Sequence, residues 1–164
     1  MPKPKKKPTV KIRIIQPEGP QPKGDPYRVV AALVRQPDHE HLSRARIALA
    51  WHHGWTADPD GLIKLGKARK VGEADRQLHG FDFVILLNKR VWDRLDFADS
   101  QIEALLDHEL MHCDAQRDDD GLVKDDERGR PIWRIRKHDI EEFSVIVARH
   151  GCWKRDIEAF VKTA

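Results

Sequence analysis

The run Phe81-Asp82-Phe83-Val84-Ile85-Leu86-Leu87-Asn88 constrains the fold more than any other stretch of this chain. It is nearly continuous in apolar residues and of strand length, so it predicts a strand lying within a sheet. Shortly downstream, Ser100-Gln101-Ile102-Glu103 has capping-box form, with a serine to accept from the backbone and a glutamate to return the bond. Ile102, Leu105, Leu106, Leu110 and Cys113 then recur at three- and four-residue intervals. The spacing predicts a helix from Ser100 to about Asp114 with one side anchored in the core.

Weaker patterns fill in the rest. Leu42, Ala45, Ile47, Ala48 and Trp51 predict an amphipathic helix over residues 38–51, stopped by Gly54. The turn cluster Asp58-Pro59-Asp60-Gly61 leads into an exposed strand over residues 62–71. Residues 122–124 and 131–137 read as a hairpin about a turn near Glu127-Arg128-Gly129. Asp139-Ile140-Glu141-Glu142 reads as a second helix start, with Ile140, Phe143 and Val147 as its buried stripe and Gly151 as its stop. A short last helix is expected over residues 153–161.

The chain has 164 residues, of which 35% are charged and 40% hydrophobic, a balance suited to one folded domain with a solvated surface. No apolar run reaches the roughly 18 residues that span a bilayer, and no apolar segment follows the basic N-terminus as in a signal peptide. Two cysteines, Cys113 and Cys152, are too few for a disulfide framework and fit a reducing compartment. The expected setting is the cytoplasm, away from membranes. Residues 1–26 form an expected flexible basic arm with one strand near Val10 to Ile15, and residues 27–164 the folded domain. Lys3, Lys5, Lys6, Lys7, Lys11 and Arg13 crowd the arm without an acid. It reads first as a solubilising leader, because no aromatic residue is interleaved to stack on bases; a weak nucleic-acid contact is the alternative.

The predicted central helix carries His108-Glu109-Leu110-Met111-His112. Residues four apart project from nearly the same helical face, so both imidazoles can share one ion while Glu109 reaches a water held by it. A zinc ion lowers the pKa of its water toward about 7, and the glutamate would then act as general base. The pattern arises by chance about once in forty chains of this composition, so its place on a capped helix after a strong strand matters as much as the letters. Imidazole ligands favour zinc over other ions. A catalytic ion needs a third protein ligand and an open position. The candidates are His138, which follows the expected hairpin and precedes the next helix, with Glu142, Glu141 and Asp118 as rivals. The compact pattern with Gly at 115 and His at 118 is broken here by Ala115 and Asp118.

Taken together, Phe81 to Asn88, Ile102 to His112 and His138-Asp139-Ile140-Glu141-Glu142-Phe143 resemble the putative phage metallopeptidase family, which is similar in layout to SprT-like zinc proteases. The resemblance spans residues 38–153. It implies a zincin-like α+β fold, with the metal helix packed on a small twisted, mostly antiparallel sheet. It also implies a protein or peptide substrate and, for a phage-encoded chain, the host cytoplasm. His138 with Glu142-Phe143 is similar to the third-histidine segment of SprT-like enzymes, though further from His112. The strand Phe81 to Leu87 is the expected neighbour of a cleft in which an extended peptide adds to a sheet edge. A zinc-stabilised, non-catalytic nucleic-acid-associated protein and a regulatory ImmA/IrrE-like protease are the competing readings; the latter would use Glu141 or Glu142 as ligand. The sequence sets no oligomeric state.

Other residues carry plainer expectations. Cys113 sits on the apolar stripe as a buried small hydrophobe. His52 and His53 are adjacent and poor partners for one ion, and His150 suits a helix C-terminus. Trp51, Trp92, Trp133 and Trp153 are expected in the core or a cleft wall, Asp118, Asp119 and Asp120 in a solvated turn, and Tyr27 in the arm, away from any ion.

Overall fold

The computed structural model describes residues 10–19, 24–94 and 98–164. Its main sheet has four strands in the order β1 (Ile12–Ile14), β2 (Ile47–His52), β4 (Phe83–Asn88) and β3 (Gly66–Lys70). β1 runs antiparallel to β2, β2 parallel to β4, and β3 antiparallel to β4. The expected central strand is therefore present, and Phe83, Ile85 and Leu87 on one face are completely buried. Onto that face pack α1 (Pro26–Leu33) and α4 (Asp99–His112), whose Ile102, Leu106 and Leu110 fill the core. The result is a mixed α/β architecture, a small sheet with helices on it, compatible with the α+β class.

Three local readings are corrected. The helix expected over residues 38–51 does not form; a 3₁₀ helix, Pro37–Arg44, is followed by β2. Ala48, Leu49, Ala50 and Trp51 are all buried, and a segment buried on both faces carries no helical signature that distinguishes it from a short strand. The central helix starts at Asp99, and the Ala98 N–H donates to Gln101 Oε1 at 2.9 Å, so the capping pair lies nearer the N-terminus than the Ser100/Glu103 pairing. It ends at His112, where Cys113 opens β5. Finally, no helix starts at Asp139. The Glu142 carboxylate accepts from the Phe143 N–H at 2.9 Å and faces Lys154 Nζ at 3.6 Å, and α5 begins only at Ser144. Phe143 is 74% exposed and α5 (Ser144–His150) buries no residue, so the expected apolar stripe has nothing to cover.

The exposed strand expected over residues 62–71 is shorter, Gly66–Lys70, and forms an edge of the sheet. α2 (Glu73–His79) connects it to β4, where the buried Asp82 accepts from the Arg46 N–H at 2.8 Å and meets Arg76 Nε at 2.6 Å. α3 (Lys89–Arg94) follows β4 and places Trp92 edge-on to Trp51, with ring centres 5.2 Å apart. β5 (Cys113–Ala115) pairs with β6 (Trp133–Ile135) as a two-stranded ribbon. The chain between them folds back in two tight turns: Asp118 accepts from the N–H groups of Asp120 and Leu122, and Asp126 from those of Arg128 and Arg130. The turn at Gly129 is as expected. α6 (Arg155–Thr163) seats Ile157 in the interior, but Trp153 is 55% exposed and belongs to no core. Of the strand expected near Val10 to Ile15, Ile12–Ile14 forms the edge strand β1, followed by the buried Ile15, whereas Lys3, Lys5, Lys6 and Lys7 lie outside the described residues. Among the described residues no helix is long and apolar enough to cross a membrane.

Candidate metal centre

His108 and His112 leave α4 from the side opposite Leu106 and Leu110, so the burial that fixes the helix also fixes where these rings point. The third imidazole arrives from another element. β6 pairs with β5, the direct continuation of α4, and the pairing extends one step further: the Arg136 N–H donates to the His112 carbonyl at 2.8 Å. That bond brings the chain back across the end of the helix and sets His138 beside both histidines. Ring centres lie 5.0 Å apart for His108 and His112, 5.0 Å for His108 and His138, and 4.6 Å for His112 and His138. One ring nitrogen from each lies within 4.8 Å of the others, a group that could hold a metal ion.

The donor set fits a tetrahedral ion. Two nitrogens bound to zinc at ordinary lengths stand about 3.4 Å apart. Here Nε2 of His138 and Nε2 of His108 are 3.2 Å apart. His112 Nδ1 lies 2.7 Å from the Arg136 carbonyl, which can only accept; the proton is therefore on Nδ1 and the Nε2 lone pair is free for an ion. Burial, and then the neighbouring His112, hold the His108 imidazole below its ordinary pKa, which favours the neutral form that ligates.

Glu109 lies against the sheet, 4% exposed. Its Oε2 accepts from the Ala68 N–H of β3 at 2.8 Å. Gly66 provides the space: a Cβ there would sit 2.7 Å from Oε1 and 3.0 Å from Cδ and Cγ. Burial pushes the Glu109 carboxyl above its ordinary value, opposed by His112, by the Ala68 N–H, and by His138 and Lys64. A carboxylate desolvated in this way, with one oxygen anchored by a backbone donor, is a stronger base than a solvated one.

The rival residues lie elsewhere. Asp118 is committed to its turn, Glu142 to Phe143 and Lys154, and Glu141 is exposed; none joins the three histidines within the described residues. Cys113 is fully buried, its thiol pushed up to about 12 by burial and then by Glu109, which suits the expected packing role. Tyr27 is not in an arm: it lies in α1, and its hydroxyl accepts from the Leu49 N–H at 3.0 Å. β4 is not beside an open edge, because β2 and β3 flank it; the free edge near Glu109 belongs to β3.

Sequence reasoning missed the supports of this site. His39, 1% exposed, bonds Asp107 at 2.6 Å, and His41 bonds the Cys113 carbonyl at 3.0 Å, so the 3₁₀ helix grips the chain just before His108 and just after His112. Gly66, Ala68 and the Arg136 carbonyl act through backbone or absence of side chain, and no residue pattern announces that. A pocket of about 420 Å³ beside the histidines is lined by Met111, Lys137, Ile140 and Phe160 among others.

The sequence matches the family described as "Putative phage metallopeptidase" over residues 22–163. No curated protein and no solved structure matches it significantly.

Proposed function

Because this chain belongs to the putative phage metallopeptidase family, we propose that it is a zinc-dependent peptidase in which His108, His112 and His138 hold the ion and Glu109 is the general base. The helix on its small sheet is then a zincin-like arrangement. One observation carries the reading: three imidazoles from two separate elements converge within 4.8 Å beside a buried carboxylate. When bound, zinc supplies a polarised carbonyl and a more acidic water. The chain's own residues do the rest. His112 keeps its ring orientation through the Arg136 carbonyl, so its Nε2 is presented without a rotameric search. Glu109, held by Ala68, takes a proton from the attacking water and passes it to the departing amine nitrogen.

An extended polypeptide laid along the edge of β3, pairing with the backbone groups that Glu109 does not occupy, would run next to that carboxylate. The cytoplasm is the proposed setting, supported by two free cysteines, Cys113 and Cys152.

The test combines metal content with cleavage of unfolded casein. Wild type is expected to bind one zinc and cut; Glu109→Gln is expected to bind one zinc and cut about 10² to 10⁴ times more slowly. A protein that takes up no zinc, or a Glu109→Gln variant that cuts at the wild-type rate, would falsify the reading; zinc bound with no cutting by wild type would mark a structural ion.

A further inference from the structure

β3 lies within a stretch, Gly61 to Gly72, that contains Lys64, Lys67, Arg69 and Lys70 and not one carboxylate. The segment that delivers His138, residues 130–138, is also free of acids and holds Arg130, Arg134, Arg136 and Lys137. The two basic segments differ in how their charges are engaged. Arg130 pairs with Glu73 and Asp126, Arg134 with Asp114, and Arg136 with Asp139. Lys70 donates to the Trp133 carbonyl. Lys64, Lys67, Arg69 and Lys137 are exposed and form no ion pair among the described residues. Lys64 instead sits over the Trp55 ring, and Lys137 lines the pocket beside the histidines.

Unpaired surface cations are individually unremarkable, because water solvates them. Lys64, Lys67 and Arg69, close together along one sheet edge with no acid among them, add to a positive potential over whatever binds there. Neighbouring groups respond to it. Burial, then Lys11, Arg69, His53 and Lys64, hold the His52 imidazole below its ordinary pKa.

Strand geometry sets which way Lys67 and Arg69 point. Alternation along β3 turns Gly66 and Ala68 toward α4 and Glu109, and turns Lys67 and Arg69 to the opposite face, where Arg69 borders a groove with Val84 and Leu86. A strand added to this edge directs every second side chain to that same face, opposite Lys67 and Arg69, and opposite charges at such cross-strand positions attract. We propose that the substrate is an acidic polypeptide segment, bound extended along β3 with carboxylates two residues apart facing Lys67 and Arg69. This rests on the peptidase reading for its chemistry, but its binding half stands on charge and geometry alone.

The experiment separates the two. Fluorescein-labelled peptides of alternating Glu-Ser, Gln-Ser and Lys-Ser are titrated by anisotropy against the full chain carrying Glu109→Gln and loaded with zinc. The Glu-Ser peptide is expected to bind about tenfold more tightly than Gln-Ser at low salt, and the margin to shrink as salt rises. Lys67→Glu with Arg69→Glu is expected to erase that margin at unchanged zinc stoichiometry and melting temperature. Lys67→Gln with Arg69→Gln, which adds no repulsion, should erase most of it. Equal affinity for the three peptides, or a margin that survives both double variants, overturns the proposal. So does a single-stranded oligonucleotide that displaces Glu-Ser and binds more tightly, since the cations would then serve phosphates. In the cleavage arm, wild type cutting Glu-Ser and Gln-Ser peptides with equal kcat/KM overturns the acidic preference and leaves the peptidase reading intact. Selective binding of Glu-Ser with no cutting of any peptide does the reverse.

Discussion

Helix α4 and the segment 136–143 contribute to one histidine cluster, yet they are held in opposite ways. α4 is nailed to the core by Ile102, Leu106 and Leu110, and its last turn is gripped from behind by His39 and His41. The segment after β6 is fastened at Arg136, by its N–H and its carbonyl to His112, and beyond that point Lys137, His138, Asp139, Glu141 and Phe143 are all exposed. The rigid region therefore presents two donors whether or not an ion is present. The exposed region presents the third with only surface ties, Arg136 to Asp139 and Lys154 to Glu142, to hold it, so an ion shared by the three rings adds more order there than in α4.

The largest test of this contrast is removal of donors from each side. His112→Ala is expected to lower zinc affinity by more than the roughly 100-fold cost of losing an outer-shell partner, measured by competition with a chromogenic chelator, and His138→Ala by less. Undiminished affinity in His138→Ala would remove it from the site. Adding zinc should slow amide exchange at residues 137–140 far more than in α4, where the ladder is already protected.

Stability should divide along the same line. Leu106→Ala removes a completely buried side chain and is expected to cost about 2–5 kcal/mol in urea unfolding. Phe143→Ala, on a side chain 74% exposed, should fall within about 0.5 kcal/mol of wild type.

Gly66→Ala addresses the carboxylate side of the site. The new Cβ would fall 2.7 Å from Glu109 Oε1, so the carboxylate must shift while the histidines keep their places. Activity should drop by up to about 100-fold with zinc stoichiometry unchanged, because misplacing a reacting group by an ångström costs on that order. A variant with full activity would show that Glu109 does not need its contact with β3.

The smallest expected effect lies in the turn that leads toward β6. The Arg130 N–H, then the Arg130 side chain and the Arg128 N–H, lower the Asp126 pKa from 3.8 to about 2. In the unfolded chain this carboxyl binds its proton at higher pH, so its contribution is present above 3.8 and fades as pH falls toward about 2. Asp126→Asn should lower the melting temperature slightly at neutral pH and leave it unchanged near pH 2. A difference that persists there would assign the effect to something other than charge.

Local pattern carried some of these elements and misled on others, for a consistent reason. β4, α4 and the His108/His112 pair are legible because each is specified by neighbours in the chain: an apolar run, a 3.6-residue stripe, a four-residue spacing. Ile47 to Trp51 reads as helical because its partners, β1 and β4, lie far away in sequence, and only the pairing shows that its backbone is hydrogen-bonded along both edges as a strand. Asp139 to Phe143 carries the letters of a helix start, but a helix on that stripe would need an apolar surface to cover Phe143, which stays 74% exposed among the described residues.

The chain's letters alone determined that two imidazoles and a carboxylate would share one turn of helix, since spacing in a helix is a property of the backbone and requires no tertiary contact. Which residue would join them, and which strand edge would face them, was decided only by folding. His138 reaches its companions because β6 pairs with the strand that continues α4, and Glu109 is anchored because a glycine and a backbone N–H on β3 come within reach of it. Both depend on contacts between segments well separated in the chain, such as Cys113 with Ile135 and Ala68 with Glu109, which no local pattern encodes.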